Sequence, residues 1–293
     1  MTAVGVALLS ALLWAIASVL FAISAKSLHV LPLNLVRAVV ATAFFWAILP
    51  FYGGLRALGA IPTSAWPWLI VSVLGLLVVG DMLYFRAIDL AGVSWAMPVA
   101  SINTVWAVLL AGFVLHEPLT SSLLGGALLV LAGVILVGRS APASTPANPA
   151  QGRGRRMGLL LALAASLSWG IGQVALKPAT AGIAPAVVNS VRQPLGLLMM
   201  LGLNLPTGRW RQLRTLDGRS WRVLLLASLL GTAIGSLLFV MAVQMAGAGR
   251  AAVLTATAPV LALPFSFLWL HERPNRWTIA GTVLVTAGVV LVA

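Results

Sequence analysis

Several residue types are absent or scarce in this sequence, and each shortage removes a class of function. Cysteine is absent from the 293 residues, which excludes disulfides, iron–sulfur clusters, thiolate metal sites and thiol catalysis. Only 8% of the residues are charged, against about 25% in a typical soluble domain. With five acidic residues and three histidines, no catalytic pair of acids and no metal-ligand cluster is formed. We also find no phosphate-binding glycine motif, and we therefore expect neither an enzyme nor a cofactor.

The apolar residues are abundant instead, at 61% of the chain. They cluster in runs of about 20 residues, the length that a helix needs to cross a hydrocarbon core of about 30 Å. Backbone polar groups in lipid must be paired within their own segment, which favours helices. The runs do not alternate between apolar and polar positions, as the strands of a membrane barrel would. We therefore predict an all-α membrane protein.

The runs predict ten transmembrane helices and one hydrophilic linker. The linker, 139–156, is rich in Ala, Pro, Ser, Gly and Arg and has no aromatic residue, which is typical of a flexible tether. It separates a first five-helix repeat, 1–138, from a second, 157–293. We place the ten spans at about 2–23, 30–50, 66–87, 91–115, 119–138, 157–178, 183–204, 220–245, 248–270 and 275–293.

A shift of 155 residues superimposes the rare polar residues of the two halves without a gap. Each repeat has five helices, an odd number, so the second repeat must enter the membrane inverted relative to the first. Two inverted repeats around a central cavity are the architecture of many secondary transporters. The matched residues include Trp14 with Trp169, Asn34 with Asn189, Arg37 with Arg192, Gly80 with Gly235, and His116-Glu117 with His271-Glu272.

The net charge of +13 would suggest nucleic acid on a soluble protein, but here the basic residues lie in the loops between apolar runs. With ten crossings, 13 Lys and Arg lie on the side opposite the termini and 3 on the side of the termini. The positive-inside rule then predicts that both termini are periplasmic in a bacterial inner membrane. The partners we expect are the lipid bilayer and a small-molecule substrate, without nucleic acid.

The order of landmarks in each half resembles a known family. A Trp lies in the first helix, an Arg early in the second, and a Gly-rich third helix runs into an Ala-Gly turn. The fourth helix contains Pro and ends in His-Glu, and the fifth has Gly every seven residues. This pattern resembles the EamA family of the drug/metabolite transporter superfamily, twice over, and is most similar to the YddG-type amino acid exporters. The resemblance implies export of small organic metabolites by alternating access, without ATP, cofactor or metal.

Three charged residues lie inside predicted helices, where charge is costly and usually functional. Asp81 is either a proton-coupling or ammonium-binding site, or the buried ion-pair partner of Arg37. Arg192 either binds a substrate carboxylate through a bidentate contact, or stabilises helix ends and backbone carbonyls. Asn34 and Asn189 each precede an Arg by three residues and share its helix face, where they either line a cavity or join helices.

The remaining candidates are aromatic, small polar and proline residues. Kinked helices rich in small residues are plausible gates, and close packing is the alternative reading for them. Glu117 and Glu272 end helices and are expected to be structural anchors at the membrane interface. The candidates for the cavity are Trp14 with Ser18, Trp169 with Gln173, Tyr84, Trp95 and Ser101, and those for gating are Pro98 and Pro259.

The leading functional hypothesis is a monomeric exporter of amino acids, including aromatic ones. An amino acid needs an anion site, a cation site and apolar room, and the residues above supply each of these. An exporter of cationic drugs or other metabolites is the alternative, because Asp81 alone would bind a cation. A membrane-embedded receptor or enzyme without transport is the alternative from another class.

Overall fold

The computed structural model describes residues 2–24, 28–138, 152–270 and 275–293. Regular structure within these ranges is entirely helical. Nine helices of the described ranges are long and apolar enough to cross a membrane, and a tenth, α10, has 17 residues. Their bounds are α1 Ala3–Ser24, α2 Leu31–Tyr52, α3 Thr63–Ala91, α4 Trp95–Leu115, α5 Ser121–Gly138, α6 Gly154–Ala179, α7 Pro185–Thr207, α8 Gly218–Ala246, α9 Ala248–Trp269 and α10 Arg276–Val292.

The observed bounds correct the sequence expectation at two places. The third helix was expected to end at 87, but it continues to Ala91, where Gly92 with φ of 80° turns the chain directly into the next helix. The helix that contains α6 begins at Gly152, two residues before the span Gly154–Ala179, so the end of the segment 139–156 is helical, because Arg is a good helix former and no proline interrupts it. The expectations for 139–151 and for Glu272 lie outside the described residues.

The 155-residue shift also relates irregularities of the backbone. It carries Thr63–Ala91 onto Gly218–Ala246, and each of these spans has 29 residues. Each contains a π-helical segment at the corresponding place, Leu74–Val79 in α3 and Ser228–Gly235 in α8. The fourth helix of each half is also broken at matching positions. The broken pairs are Val93–Ala100 with Asn103–Leu115 and Ala248–Thr255 with Ala258–Phe265.

Each half of the molecule is completed by the first helix of the other half. Helix α1 packs on α8 and α9, while α6 packs on α3 and α4. The second helices of the two halves, α2 and α7, pack on each other, and so do α5 and α10. Large apolar side chains remain exposed around the outside, for example Leu160 at 62% and Leu198 at 64%, as expected of surfaces that face lipid.

Helices α5 and α10 meet along a seam of glycines. A Cβ atom on Gly133 would lie 2.6 Å from the Gly281 carbonyl oxygen, and one on Gly281 would lie 2.5 Å from the Gly133 carbonyl oxygen. Gly126 and Gly288 approach each other in the same reciprocal way. Because the earlier glycine of α5 meets the later glycine of α10, the two helices run antiparallel. Only glycine permits such close approach of two backbones.

Candidate functional site

An acidic side chain and two aromatic rings come together between α3 and α6. The Trp169 indole Nε1 donates a hydrogen bond to Asp81 Oδ1 at 3.1 Å. The ring of Tyr84, one turn after Asp81, lies 5.0 Å from the Trp169 ring, centroid to centroid. All three side chains are partly exposed. A carboxylate inside a membrane span is costly, and such groups usually mark functional sites.

Close packing of α6 on α3 positions Trp169. The Ser168 hydroxyl donates to the Gly75 carbonyl at 3.1 Å, in the π-helical segment of α3. Gly80, at the end of that segment, faces the indole, and a Cβ there would lie 2.5 Å from Trp169 Nε1. π-Helical turns inside α-helices are frequent at functional sites. The π segment and Gly80 together allow the indole to reach the carboxylate of the next residue.

The equivalent contact in the other half lacks the acid. Trp14 Nε1 donates to the Gly231 carbonyl at 3.0 Å, and its ring lies 5.2 Å from that of Phe239. Gly235, the counterpart of Gly80, lies directly against this indole. Ser18, expected on the cavity face with Trp14, is exposed and donates to the Ala15 carbonyl at 2.7 Å. The two tryptophans are therefore positioned alike, but only Trp169 contacts a carboxylate.

Two Arg–Asn units repeat the same geometry. Arg37 donates from Nη1 to Asn34 Oδ1 at 2.7 Å and from Nε to Thr232 Oγ1 at 3.1 Å, and it lies over the ring of Phe21 at 5.1 Å.

Arg192 makes the corresponding pair of hydrogen bonds. It donates from Nη1 to Asn189 Oδ1 at 3.1 Å and from Nε to Ser72 Oγ at 3.0 Å. Each unit thus binds a hydroxyl on the third helix of the opposite half.

The structure does not contain the expected ion pair between Arg37 and Asp81. Among the described residues, an acidic and a basic group lie within 4.0 Å of each other only at Arg86 and Asp89, at 3.9 Å. Arg37 instead donates to Thr232 and Asn34, and Asp81 accepts from Trp169. The carboxylate is therefore not locked by a guanidinium in this conformation.

Several polar atoms in this region are buried without a protein partner. They include Nδ2 of Asn34, Nδ2 of Asn189 and Oε1 of Gln173. Buried polar atoms in proteins are nearly always hydrogen-bonded, so each atom without a partner needs an explanation. The unpartnered Nδ2 atoms of the two asparagines occupy equivalent places beside the two arginines.

The helix breaks of α4 and α9 share a small cavity with α5. Its volume is about 150 Å³, and its lining includes Ser101, Thr104, Val134 and Pro259. The structure thus brings Ser101 and Pro259 together, while Pro98 lies inside the helical segment just before the break. Trp95 lies elsewhere, at the start of α4, where Arg155 stacks over its ring at 4.8 Å.

Glu117 connects the two halves at the ends of their helices. Its Oε1 and Oε2 accept hydrogen bonds from the backbone N–H groups of Ala248 and Gly249, at 2.8 and 3.1 Å. These N–H groups begin α9, where a carboxylate is favoured by the helix dipole. This contact has the structural character that the sequence suggested for Glu117.

Sequence reasoning did not identify the hydroxyl partners Ser72 and Thr232. The repeat shift places Ala227 opposite Ser72 and Leu77 opposite Thr232, so neither hydroxyl stands out as a repeated residue. The glycines that lie against the two tryptophans could be found from the sequence, because the 155-residue shift superimposes Gly80 on Gly235. No group of three or more His, Asp or Glu within the described ranges is arranged to hold a metal ion.

Apolar helices long enough to span a bilayer, with charged side chains buried between them, define a multi-pass membrane protein with an internal polar site. The sequence model of the EamA-like transporter family matches residues 1–139 and again residues 156–293. The chain therefore belongs to the EamA-like transporter family, within the drug/metabolite transporter superfamily. It is a membrane transporter built from two EamA repeats.

Individual relatives agree with this family. A protein of Archaeoglobus fulgidus named "Uncharacterized transporter" is 26% identical over 289 residues, covering 97% of this chain and 95% of the relative. The Pseudomonas aeruginosa protein named "Probable 4-amino-4-deoxy-L-arabinose-phosphoundecaprenol flippase subunit ArnE" is 41% identical over 78 residues. That match covers 27% of this chain and 65% of the relative. A solved crystal structure shares the fold, with a TM-score of 0.83 over 99% of this chain and 94% of that one, at 21% identity.

Proposed function

We propose that this protein exports small organic molecules by alternating access, and that amino acids, including aromatic ones, are its substrates. The observation that carries this proposal is the Asp81 carboxylate, which accepts a hydrogen bond from Trp169, whose ring contacts that of Tyr84. A carboxylate inside a membrane span is a natural site for a substrate ammonium group.

The chemistry of the cluster suits an amine. Trp169 occupies Asp81 Oδ1, and Oδ2 receives no hydrogen bond from the described residues, so it remains available to accept from an ammonium. Aromatic faces attract a cation by about 0.5–2 kcal/mol, depending on how dry the site is. The same rings also supply apolar contact for an aromatic side chain.

The membrane topology that we propose has ten crossings in two inverted repeats, 1–138 and 157–293, joined by the linker 139–156. The antiparallel seam of α5 and α10 supports it, since equivalent helices of inverted repeats run in opposite directions. A cavity of about 420 Å³ supports it as well. This cavity is lined from the α4–α5 connection, the end of α6, the α8–α9 turn and the end of α10, which ten crossings place on one side.

We further propose that the protein works as a monomer in a bacterial inner membrane, with its termini on the periplasmic side. The broken helices α4 and α9, with Pro98 and Pro259, serve as its gates. Proline removes a backbone hydrogen bond, so these helices can bend at little cost. The cavity that Ser101 and Pro259 share gives the two breaks room to move against each other.

Counterflow in proteoliposomes tests the function directly. The purified protein is reconstituted, the vesicles are loaded with one unlabelled amino acid at a time, and entry of labelled L-phenylalanine is measured. We expect saturable exchange for aromatic amino acids, and a loss of affinity in Asp81→Asn. Asp89→Asn is the matched control, because Asp89 lies on the same helix but is exposed at its end. The absence of exchange for every amino acid would contradict the amino acid proposal.

The same vesicles test coupling. If Asp81 carries the coupled proton, a pH gradient drives export by the wild type, and Asp81→Asn retains only flux down the substrate gradient. If wild-type flux is indifferent to the pH gradient and Asp81→Asn moves substrate at a comparable maximal rate, the protein is a facilitator.

Amines that lack a carboxylate are the second candidate class. The Asp81 cluster by itself accounts for binding of a cation, as in a drug exporter. The relatives named as flippase subunits point to an amino sugar joined to phosphoundecaprenol, which also presents an amine. Competition of counterflow by cationic dyes and by amino sugars, at concentrations where amino acids have no effect, would favour this class.

A further inference from the structure

Arg192 is a buried cation without an acidic partner. Its side chain is 2% exposed and that of Asn189 is 0% exposed. No carboxylate of the described residues lies within 4.0 Å of its guanidinium. Its hydrogen bonds go to the neutral oxygens of Ser72 and Asn189. A buried charge inside a membrane span usually pairs with an opposite charge or serves a transported ligand.

Comparison of the two repeats shows what the second unit lacks. The first unit, Arg37 with Asn34, lies in the repeat that contains Asp81. Under the 155-residue shift, the position of Asp81 is occupied by Ser236. The Ser236 hydroxyl donates to Asn189 Oδ1 at 3.4 Å, so the equivalent of the acid is in contact with the second unit. At this repeat position the first repeat therefore has the carboxylate of Asp81, while the second has the neutral hydroxyl of Ser236.

The second unit also has unused donors. Asn189 Nδ2 is buried without a protein acceptor, and Arg192 Nη2 makes no hydrogen bond within the described residues. The contacts that close the unit, Gln193 Nε2 to Ser236 Oγ and Ser236 Oγ to Asn189 Oδ1, are both long at 3.4 Å. Hydrogen bonds of that length are weak and are released easily. An arginine and an amide beside each other are suited to a planar, two-oxygen anion.

We propose that Arg192 and Asn189 form an oxyanion site that binds the carboxylate of the transported molecule. The proposal rests on the export function proposed above and adds the residues that bind the carboxylate of the substrate. The carboxylate of the substrate binds at Arg192, so the transporter prefers substrates that carry a carboxylate over simple amines. Ser236 is the position that makes the second unit receptive to an anion, since an acid there would neutralise Arg192.

A matched set of three compounds tests this selectivity in counterflow. L-Phenylalanine carries both charges, phenethylamine lacks the carboxylate, and 3-phenylpropanoate lacks the ammonium group. We expect wild type to prefer L-phenylalanine over phenethylamine. Arg192→Gln should reduce that preference about tenfold, the effect of losing a hydrogen bond to a charged group, and leave phenethylamine flux intact. Arg192→Lys should restore part of the preference. Equal losses for both compounds in Arg192→Gln would mean a structural role and would overturn the proposal.

Melting temperatures test carboxylate binding at Arg192 without a transport measurement. We expect 3-phenylpropanoate to raise the melting temperature of the wild type, and Ser236→Asp to remove this response because the new carboxylate occupies the site. Ser228→Asp is the control, since Ser228 is a buried serine of the same helix that bonds only to the Leu224 carbonyl. Ser236→Asp should be clearly more stable than Ser228→Asp. Equal destabilisation by the two substitutions, together with no wild-type response to the carboxylate, would overturn the proposal.

The two assays separate the possible failures. If wild type exchanges phenethylamine and L-phenylalanine equally well and Arg192→Gln changes neither, the anion site is wrong while export stands. If no compound is exchanged but the carboxylate still stabilises wild type and not Ser236→Asp, the anion site stands and the export function fails. Stabilisation that needs phosphatidylglycerol in nanodiscs, and is absent with L-phenylalanine, would assign the site to a lipid headgroup and overturn the substrate role.

Discussion

The indole of Trp169 donates to the carboxylate of Asp81, whereas Trp14, its counterpart in the other half, donates to a backbone carbonyl. The two tryptophans occupy equivalent positions on equivalent helices, and each lies against an equivalent glycine. The difference arises from one residue, because Ser236 stands where the first repeat has Asp81. A repeated scaffold thus carries a polar site that differs between its two halves.

Trp169→Phe isolates the contribution of this hydrogen bond. The ring is retained and the donor is lost, so Asp81 becomes less well positioned while the apolar contact with Tyr84 remains. A hydrogen bond to a charged group is worth about 1.5–3 kcal/mol, so we expect about a tenfold or greater loss of affinity for amine substrates. Trp14→Phe removes the same donor from a bond to the neutral Gly231 carbonyl. Equal changes in affinity in the two variants, measured by counterflow, would contradict a special role for the Trp169–Asp81 contact.

Gly80→Ala tests whether the close approach of α6 to α3 builds the site. The added Cβ would lie 2.5 Å from both Trp169 Nε1 and the Gly75 carbonyl oxygen, so these groups would have to shift. Overpacking of this kind costs about 1–3 kcal/mol. We expect a lower melting temperature and weaker amine binding together. Gly202→Ala is the control, because nothing lies within 4 Å of its Cβ position, and it should be as stable as wild type or more so.

Much of this structure could be predicted because the two halves of the sequence are related by a repeat. The apolar runs predicted the membrane spans, and the rare residues that recur at one shift predicted that Trp14 corresponds to Trp169 and that the two Arg–Asn units correspond to each other. The hydrogen-bond partners of the two arginines could not be predicted from the sequence, because they depend on how helices of opposite halves pack on each other. Ser72 accepts a hydrogen bond from Arg192, and Thr232 accepts one from Arg37. The 155-residue shift does not superimpose Ser72 on Thr232. The Arg37–Asp81 ion pair, one of the two alternatives for Asp81, is not formed in this structure, where each of the two side chains hydrogen-bonds to other residues.

Gly126→Ala should separate the α5–α10 seam, and the neighbouring Gly125→Ala should not. A Cβ on Gly126 would lie 2.7 Å from the Gly288 carbonyl oxygen, a backbone atom that can move only with its helix. A Cβ on Gly125 meets only a Leu291 methyl at 3.8 Å, an ordinary contact. We expect Gly126→Ala to lose about 1–3 kcal/mol of stability. Unfolding in mixed micelles provides the measurement, and equal stability of the two variants would contradict this packing.

His29 should make stability depend on pH near the start of α2. Its Nδ1 accepts from the Leu31 N–H at 3.2 Å, which only the neutral ring can do. Burial lowers the pKa of His29, the adjacent Arg209 lowers it further, and Asp89 opposes them. The unfolded state therefore binds this proton more readily. The stabilising contribution is complete above the unfolded pKa of about 6.5, and it is lost as the pH falls towards the lower folded value.

The variant His29→Asn checks this dependence, since Asn keeps a side-chain acceptor at the helix start and does not titrate. Melting temperatures of both proteins are compared from about pH 7.5 down to about pH 5. We expect wild type to lose stability relative to the variant across this range. Parallel curves for the two proteins would show that His29 does not titrate differently on folding.

Cysteine labelling tests the orientation, and the absence of native cysteine makes every introduced thiol unique. Ala181 and Thr215 are exposed residues just beyond the two ends of α7, so one helix separates them. The segment Arg209–Thr215 is rich in arginine, and the positive-inside rule places it in the cytoplasm. We expect a membrane-impermeant maleimide to label Ala181→Cys on intact cells, and Thr215→Cys only after permeabilisation. The opposite pattern would place both termini in the cytoplasm under ten crossings, and labelling of both on intact cells would mean that α7 does not cross the membrane.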